Sequence, residues 1–377
     1  MLHVTIKAGD LAAALKLVHP AIAGKTTLPI LQHVLLDARD GRLTISATNL
    51  EISLRTSIPA EVTAIGQTTV PEAKLATWIG YQGRDVDVTL KGDDKNVTLQ
   101  AGRDRAKLPA ISADDYPRIP ERDAEPINVS AALLAQALSR TLGNVAKEDR
   151  RAVLQGACLT FEGETLEMVG ADGLTLGFAR ADLAAPVAER TVLIVPQRSL
   201  AALSSLLGDV GLVEIKAGLH GVAFDVGPTT LFSRVIEGQF PDWRRIVPTE
   251  AKCTVVVNTT ALVAQVQAAQ MVDRATPVRL KPDPEANTLT IWARDVDVEH
   301  EGVLDADVSG ESLEVALRGD QALLALRALA SETVEIRANG PDKPVMLTIP
   351  GADGVALQVL VPMYVAADNR AIKREAA

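Results

Sequence analysis

Aromatic side chains are scarce in this chain of 377 residues. They make up 3% of it, so its cores must be filled by Leu, Val, Ile and Ala rather than by stacked rings. Cysteine is scarcer still: Cys158 and Cys253 lie far apart and at no metal-ligand spacing. That excludes a disulfide framework and predicts reduced, inert core thiols in a cytoplasmic protein. The histidines His3, His19, His33, His220 and His300 include no pair at the H-x-x-x-H spacing of a zinc site. The G-x-S-x-G elbow of a hydrolase and the G-x-G-x-x-G dinucleotide loop are both missing. No apolar run is long enough to span a bilayer, and the opening MLHVTIKAGD predicts no secretory signal.

Hydrophobic content of 47% and charged content of 23% describe an ordinary globular balance, and the length suits two or three domains. The net charge of −10 argues against a protein that binds nucleic acid over its whole surface. It leaves room for a basic patch on one face. The stretch HPAIAGKTTLPIL, His19 to Leu31, contains the Gly-Lys-Thr of a phosphate-binding loop. The glycine that should open such a loop falls at His19, and Pro20 removes a backbone donor. Lys25 therefore needs another explanation.

One plan is written three times. VTIKAGDLAAALKLVHPAI from Val4, INVSAALLAQALSRTLGNV from Ile127 and VVVNTTALVAQVQAAQMV from Val255 each read as an alternating strand running into an Ala/Leu helix. Asp10, Ser130 and Thr259 or Thr260 are the expected helix caps. Hairpins follow, with turns at Asp40-Gly41, at Glu162-Gly163 and within KPDPEANT. Each copy then runs through a strand into a second helix and closes with further strands. The expected architecture is α+β: three similar domains at 1–125, 126–250 and 251–365, each with two helices and antiparallel sheet, and a flexible tail at 366–377. Repetition of this kind favours a scaffold or ring over a single catalytic cleft.

Asp295, Asp297 and Glu299 alternate in RDVDVEHE, which predicts one face of a strand and, in an enzyme, a metal site. The stronger expectation is a charged edge strand. Asp172 in GADGL is first of all a turn residue. Nothing assembles a nucleophile, a base and an orienting partner, so no catalytic residue, metal or cofactor is expected. The cations are more suggestive. Lys25 lies past the first helix and Lys74 on the second. Arg140, Lys147, Arg150 and Arg151 lie on or after the third, Arg198 opens the fourth, and Arg318 and Arg327 sit on the sixth. On comparable elements of different repeats they can line one surface that contacts phosphates without reading bases.

SRVIEGQFPDWRRIVP (Ser233 to Pro248), with TLPIL, ATNLEI, ADGLTL and VLVPM in matching order, resembles the bacterial sliding-clamp family, the β subunits of DNA polymerase III. The resemblance covers the chain through Tyr364. It implies a DNA-clamp fold and a head-to-tail homodimer closed as a ring around duplex DNA without sequence preference. Helices would line the hole, and the ring would act as a processivity factor with no catalysis. Lys25, Lys74, Lys147, Arg150, Arg151 and Arg198 would face DNA. Ala152 and Val153 stand where better-known members carry aromatics. A pocket for short Gln-Leu-x-Leu-Phe motifs would be lined by Leu154, Ala171, Gly173, Leu174, Thr175, Leu176, Pro241, Arg245, Ile246, Val359, Val361 and Met363. Those motifs would come from the polymerase III α subunit, the clamp loader, other polymerases and repair proteins; no membrane partner is implied.

Leu174-Thr175 replaces a His-Arg pair common in that pocket and makes it more apolar. The ring seam would set Arg103, Arg105 and Lys107 against Asp297, Glu299 and Glu301, with Ala106 and Met271 as its apolar part. The altered pocket and the tail also fit an accessory, non-replicative clamp with different partners.

Overall fold

The computed structural model describes residues 1–120, 124–208, 210–218, 220–352 and 354–364, and the expected tail at 366–377 lies outside them. The chain forms two compact units, one from Met1–Ala135 with Asp182–Ile236, the other from Gln136–Ala181 with Glu237 onward.

Six α-helices stand among the described residues: α1 (Ala8–Val18), α2 (Glu72–Gly80), α3 (Ala131–Thr141), α4 (Gln197–Leu206), α5 (Thr259–Ala269) and α6 (Gly319–Leu329). Each repeat holds two, as the apolar spacing predicts. In α1 the buried face is Leu11, Ala14, Leu15 and Val18. Two caps differ from expectation. Asp10 sits within the first turn of α1, where its charge suits the helix N-terminus, and the cap position is Lys7 with no side-chain bond. In α5 the cap is Asn258, whose side chain accepts from the Ala261 N–H, rather than either threonine. No helix among the described residues is long and apolar enough to cross a membrane.

The first unit carries two antiparallel sheets. One runs Glu61–Ala64, Leu2–Lys7, Asp87–Gly92, Asn96–Ala101, Asp104–Pro109. In the other, Ile127–Ser130, Leu212–Gly218, Gly221–Val226 and Thr229–Arg234 of the second repeat continue into Ile52–Pro59, Arg42–Thr48, His33–Arg39 and Gly66–Pro71 of the first. The second unit is built alike: Gly156–Glu162, Thr165–Ala171 and Thr175–Asp182 continue into Ala356–Leu360, Val345–Thr348 and Thr333–Ala338. The sheet then passes through Cys253–Asn258 to Glu299–Gly310, Thr288–Arg294, Val278–Asp283 and Val315–Leu317.

The junction between repeats is therefore made twice, and it matches bond for bond. Arg234 N–H donates to Glu51 C=O in the first unit and Val361 N–H to Leu174 C=O in the second, both at 2.9 Å. Ile236 N–H to Ile194 C=O and Met363 N–H to Ala316 C=O follow, both at 2.8 Å. Two strand edges of the same kind have no counterpart among the described residues. Asp104–Pro109 pairs only with Asn96–Ala101, and the first half of Glu299–Gly310 pairs only with Thr288–Arg294.

Turn chemistry agrees with the sequence at Asp40-Gly41, both residues at positive φ (52° and 68°), as a two-residue hairpin loop requires. Both cysteines are buried thiols outside any disulfide among the described residues, and burial pushes the Cys253 thiol up.

Candidate functional site

Three strands of the second unit bear the expected pocket residues on one face. Leu176 lies directly across from Val359 in the sheet. These two join Leu154, Ala171, Cys158, Val169 and Phe178 in one buried cluster. The FPDWRR segment covers the cluster's flank. Trp243 stacks on Phe178 with ring centroids 5.0 Å apart, and Arg244 lies over the indole at 4.4 Å while pairing with Glu167. The same segment brings up Pro241, Arg245 and Ile246, all exposed, with Arg245 held by Asp242 at 2.8 Å.

The rim is apolar and open: Leu174 and Ile246 are each 50% exposed and Val361 41%. Thr175 is buried, so it presents little polar surface there. The Asp172 carboxylate accepts from the N–H groups of Leu174 and Thr175 at 2.9 and 2.7 Å. It is a turn residue, as the sequence predicts. Gly173, at φ +92°, allows that turn, and a Cβ on it would sit 3.1 Å from Arg151 Nη2. Arg151 is fixed by Asp149 and stands against the 172–175 turn.

The other expected cations divide. Lys25, Lys74, Lys147, Arg150 and Arg198 are exposed, and Arg198 donates to Pro20 C=O at 3.3 Å, beside the loop that bears Lys25. Arg140 is 5% exposed and cannot reach a phosphate in solvent; its burial also lowers the guanidinium's pKa. Arg318 and Arg327 line a groove of about 780 Å³ with Arg274, over a floor of Leu323 and Leu324. Arg274 was missed from sequence because it follows α5, the helix with almost no charge. Arg318 is partly neutralised by Asp320 at 2.9 Å.

Two of the expected seam residues lie in turns and not on the strands predicted for them. Asp297 is not on the strand of Glu299 and Glu301. It lies in the turn between two strands, closed by Asp295 N–H to Val298 C=O at 2.9 Å. The alternating metal row therefore does not form, and no group of three or more His, Cys, Asp or Glu among the described residues can hold a metal. Arg103 likewise falls in the turn after Gly102 (φ +56°), leaving Arg105 and Lys107 exposed on the edge strand with half-buried Ala106 between them. Met271 is 69% exposed just past α5.

The DNA polymerase III beta subunit family matches this chain in three consecutive parts: N-terminal domain over 2–120, central domain over 128–242 and C-terminal domain over 244–364. The chain belongs to the bacterial β sliding clamp family. It is 31% identical to the clamp of Synechococcus elongatus over 92% of this chain and 95% of that protein. It is 30% identical to that of Caulobacter vibrioides over 97% and 100%. Among solved structures it is similar to the Pseudomonas aeruginosa sliding clamp bound to griselimycin, at 26% identity and TM-score 0.90, covering 97% of this chain and all of that one. The Bacillus subtilis clamp shares the fold, with TM-score 0.93 at 22% identity over 97% and 100%. Three clamp domains of mixed α and antiparallel β structure are thus the chain's architecture, and its function is that of a DNA sliding clamp. Nothing in these similarities favours an accessory clamp.

Proposed function

We propose that two copies of this clamp chain close head to tail into a ring around duplex DNA and tether polymerases there, without catalysing a reaction. The domains are read as 1–125, 126–250 and 251–365. The observation that carries the ring is the junction made twice within the chain, with one edge of each kind left over.

Its register can be carried to those edges. The turn closed by Asp295 N–H and Val298 C=O corresponds to that of Asp172 and Thr175, so Glu299 takes the position of Leu176. Ile111, bonded through its N–H to the Thr69 hydroxyl, takes the position of Met363, so Lys107 takes that of Val359. Since Leu176 faces Val359, Lys107 of one copy faces Glu299 of the next, and Arg105 faces Glu301. Opposite charges directly across a strand pair favour this closure and reject pairing of like edges.

Inside the ring, Lys25, Lys74, Lys147, Arg150, Arg151 and Arg198 contact phosphates, and Arg274, Arg318 and Arg327 supply the third repeat's share. The pocket, with exposed Leu174, Ile246 and Val361 over a buried floor of Leu176 and Val359, takes short apolar peptides. Its sources are the polymerase III α subunit, the clamp loader, other polymerases and repair proteins. With Leu174 exposed at the rim and Thr175 buried beside it, it selects for Leu and Phe anchors over polar contacts.

The test is retention on circular against linear DNA. The protein is loaded onto a nicked circle by a bacterial clamp loader, isolated at moderate salt, and the circle is then cut. Release only after cutting is expected of a ring held by topology. Equal retention on both forms would mean ordinary affinity binding and would remove the reading.

A further inference from the structure

Directly behind the apolar pocket lies a polar cluster that the fold does not require. Strand alternation puts Leu176 and Val359 on the pocket face and their neighbours Gly177 and Gln358, also paired across the sheet, on the opposite face. There the sheet meets the C-terminal end of α3. Gln358 Nε2 donates to Arg140 C=O at 2.7 Å, and Gln358 Oε1 accepts from Asn144 Nδ2 at 2.8 Å. Gln358 and Asn144 are both fully buried. The approach is so close that a Cβ on Gly177 would collide with Asn144 Nδ2 and Arg140 C=O, and one on Gly170 with Thr141 C=O. Arg140 Nε and Asn144 Oδ1 have no hydrogen-bond partner among the described residues.

The first unit provides an internal comparison. Its α1 and following turn match α3 and its turn, and the positions of Arg140, Asn144, Gly177 and Gln358 are taken there by Leu17, Ala21, Leu54 and Leu231. Ala21, Leu54 and Leu231 are fully buried. The same junction is thus built from apolar packing in one place and from buried amides in the other. Replacing a buried polar group with apolar packing is commonly neutral or stabilising, so stability alone does not account for the amides. Amide hydrogen bonds do what apolar packing cannot: they fix distance and direction.

We infer that Gln358 and Asn144 are positioning residues for peptide binding. By tying the strand of Val359 to the end of α3, they hold buried Leu176 and Val359 in place beneath the exposed rim of Leu174, Ile246 and Val361, where the peptide anchors sit. This rests on the pocket reading above.

The test uses the full chain and a fluorescently labelled Gln-Leu-Ser-Leu-Phe peptide, followed by anisotropy, with thermal midpoints measured alongside. Gln358→Met keeps side-chain length and loses both bonds, and should weaken the peptide about tenfold, a usual coupling between touching residues. Val266→Ala, in the core of the third repeat, should lower the midpoint and leave affinity unchanged. If both variants weaken binding alike, or if Gln358→Met binds within twofold of the parent, the inference is overturned. If Gln358→Met does not fold, Asn144→Ala, which removes one bond of the two, is judged by the same criteria. Failure of the unaltered chain to bind the peptide would instead remove the pocket reading itself, and this inference with it.

Discussion

At the scale of single residues, burial decides what a polar group does. His33 is 7% exposed, with Nδ1 3.0 Å from the Thr69 hydroxyl, and Tyr116 donates to its carbonyl at 3.2 Å. Burial, and then the charge of Lys74, hold its imidazole below the ordinary value. The unfolded chain therefore binds this proton more readily than the folded one. Stability is fully present above about pH 6.5, the free imidazole value, and falls as pH drops below it. The thermal midpoint should decline on acidification through that window, and His33→Gln should lose this part of the slope. An unchanged slope in the variant would exclude His33 as its source. In the sequence this histidine shows only that it stands at no metal-ligand spacing. Nor does the helix position of Arg140 tell that its face is covered, so in the sequence it is indistinguishable from the surface cations.

At the scale of elements, the apolar period and turn residues made all six helices and the main hairpins legible. Local hydrogen bonding was harder to read, since neighbouring polar residues compete for one cap. Asn258 wins over Thr259 and Thr260 because its side chain reaches the Ala261 N–H at 2.9 Å. Asn258→Ala should cost about 1 kcal/mol, measured as a fall in denaturation midpoint, whereas Thr260→Ala should cost little. The alternation in RDVDVEHE was legible as charge but misleading as strand. A hairpin turn closes through Asp295 and Val298, and the pattern of alternating side chains runs across it without interruption.

At the scale of the whole molecule, the repeated junction predicts how copies meet. Glu299→Lys with Glu301→Lys should shift the protein to monomer in sedimentation velocity. Adding Arg105→Glu and Lys107→Glu to the same chain should restore the dimer, because the charges again oppose. If the fourfold variant stays monomeric while folded, the proposed register is wrong. The resemblance carried by FPDWRR and the threefold pattern was enough to anticipate the family. The register by which Lys107 is proposed to face Glu299 was not readable before the two junctions could be compared bond by bond.

By itself the sequence determined the elements and their threefold order, because periodicity and turn chemistry act over neighbouring residues; the apolar pocket was only what the family resemblance implied. Only the tertiary structure decided which cations stay in solvent, where the edge strands end and what lies behind the pocket. Those depend on contacts between residues far apart in the chain, such as Asn144 with Gln358, whose pairing no local pattern records.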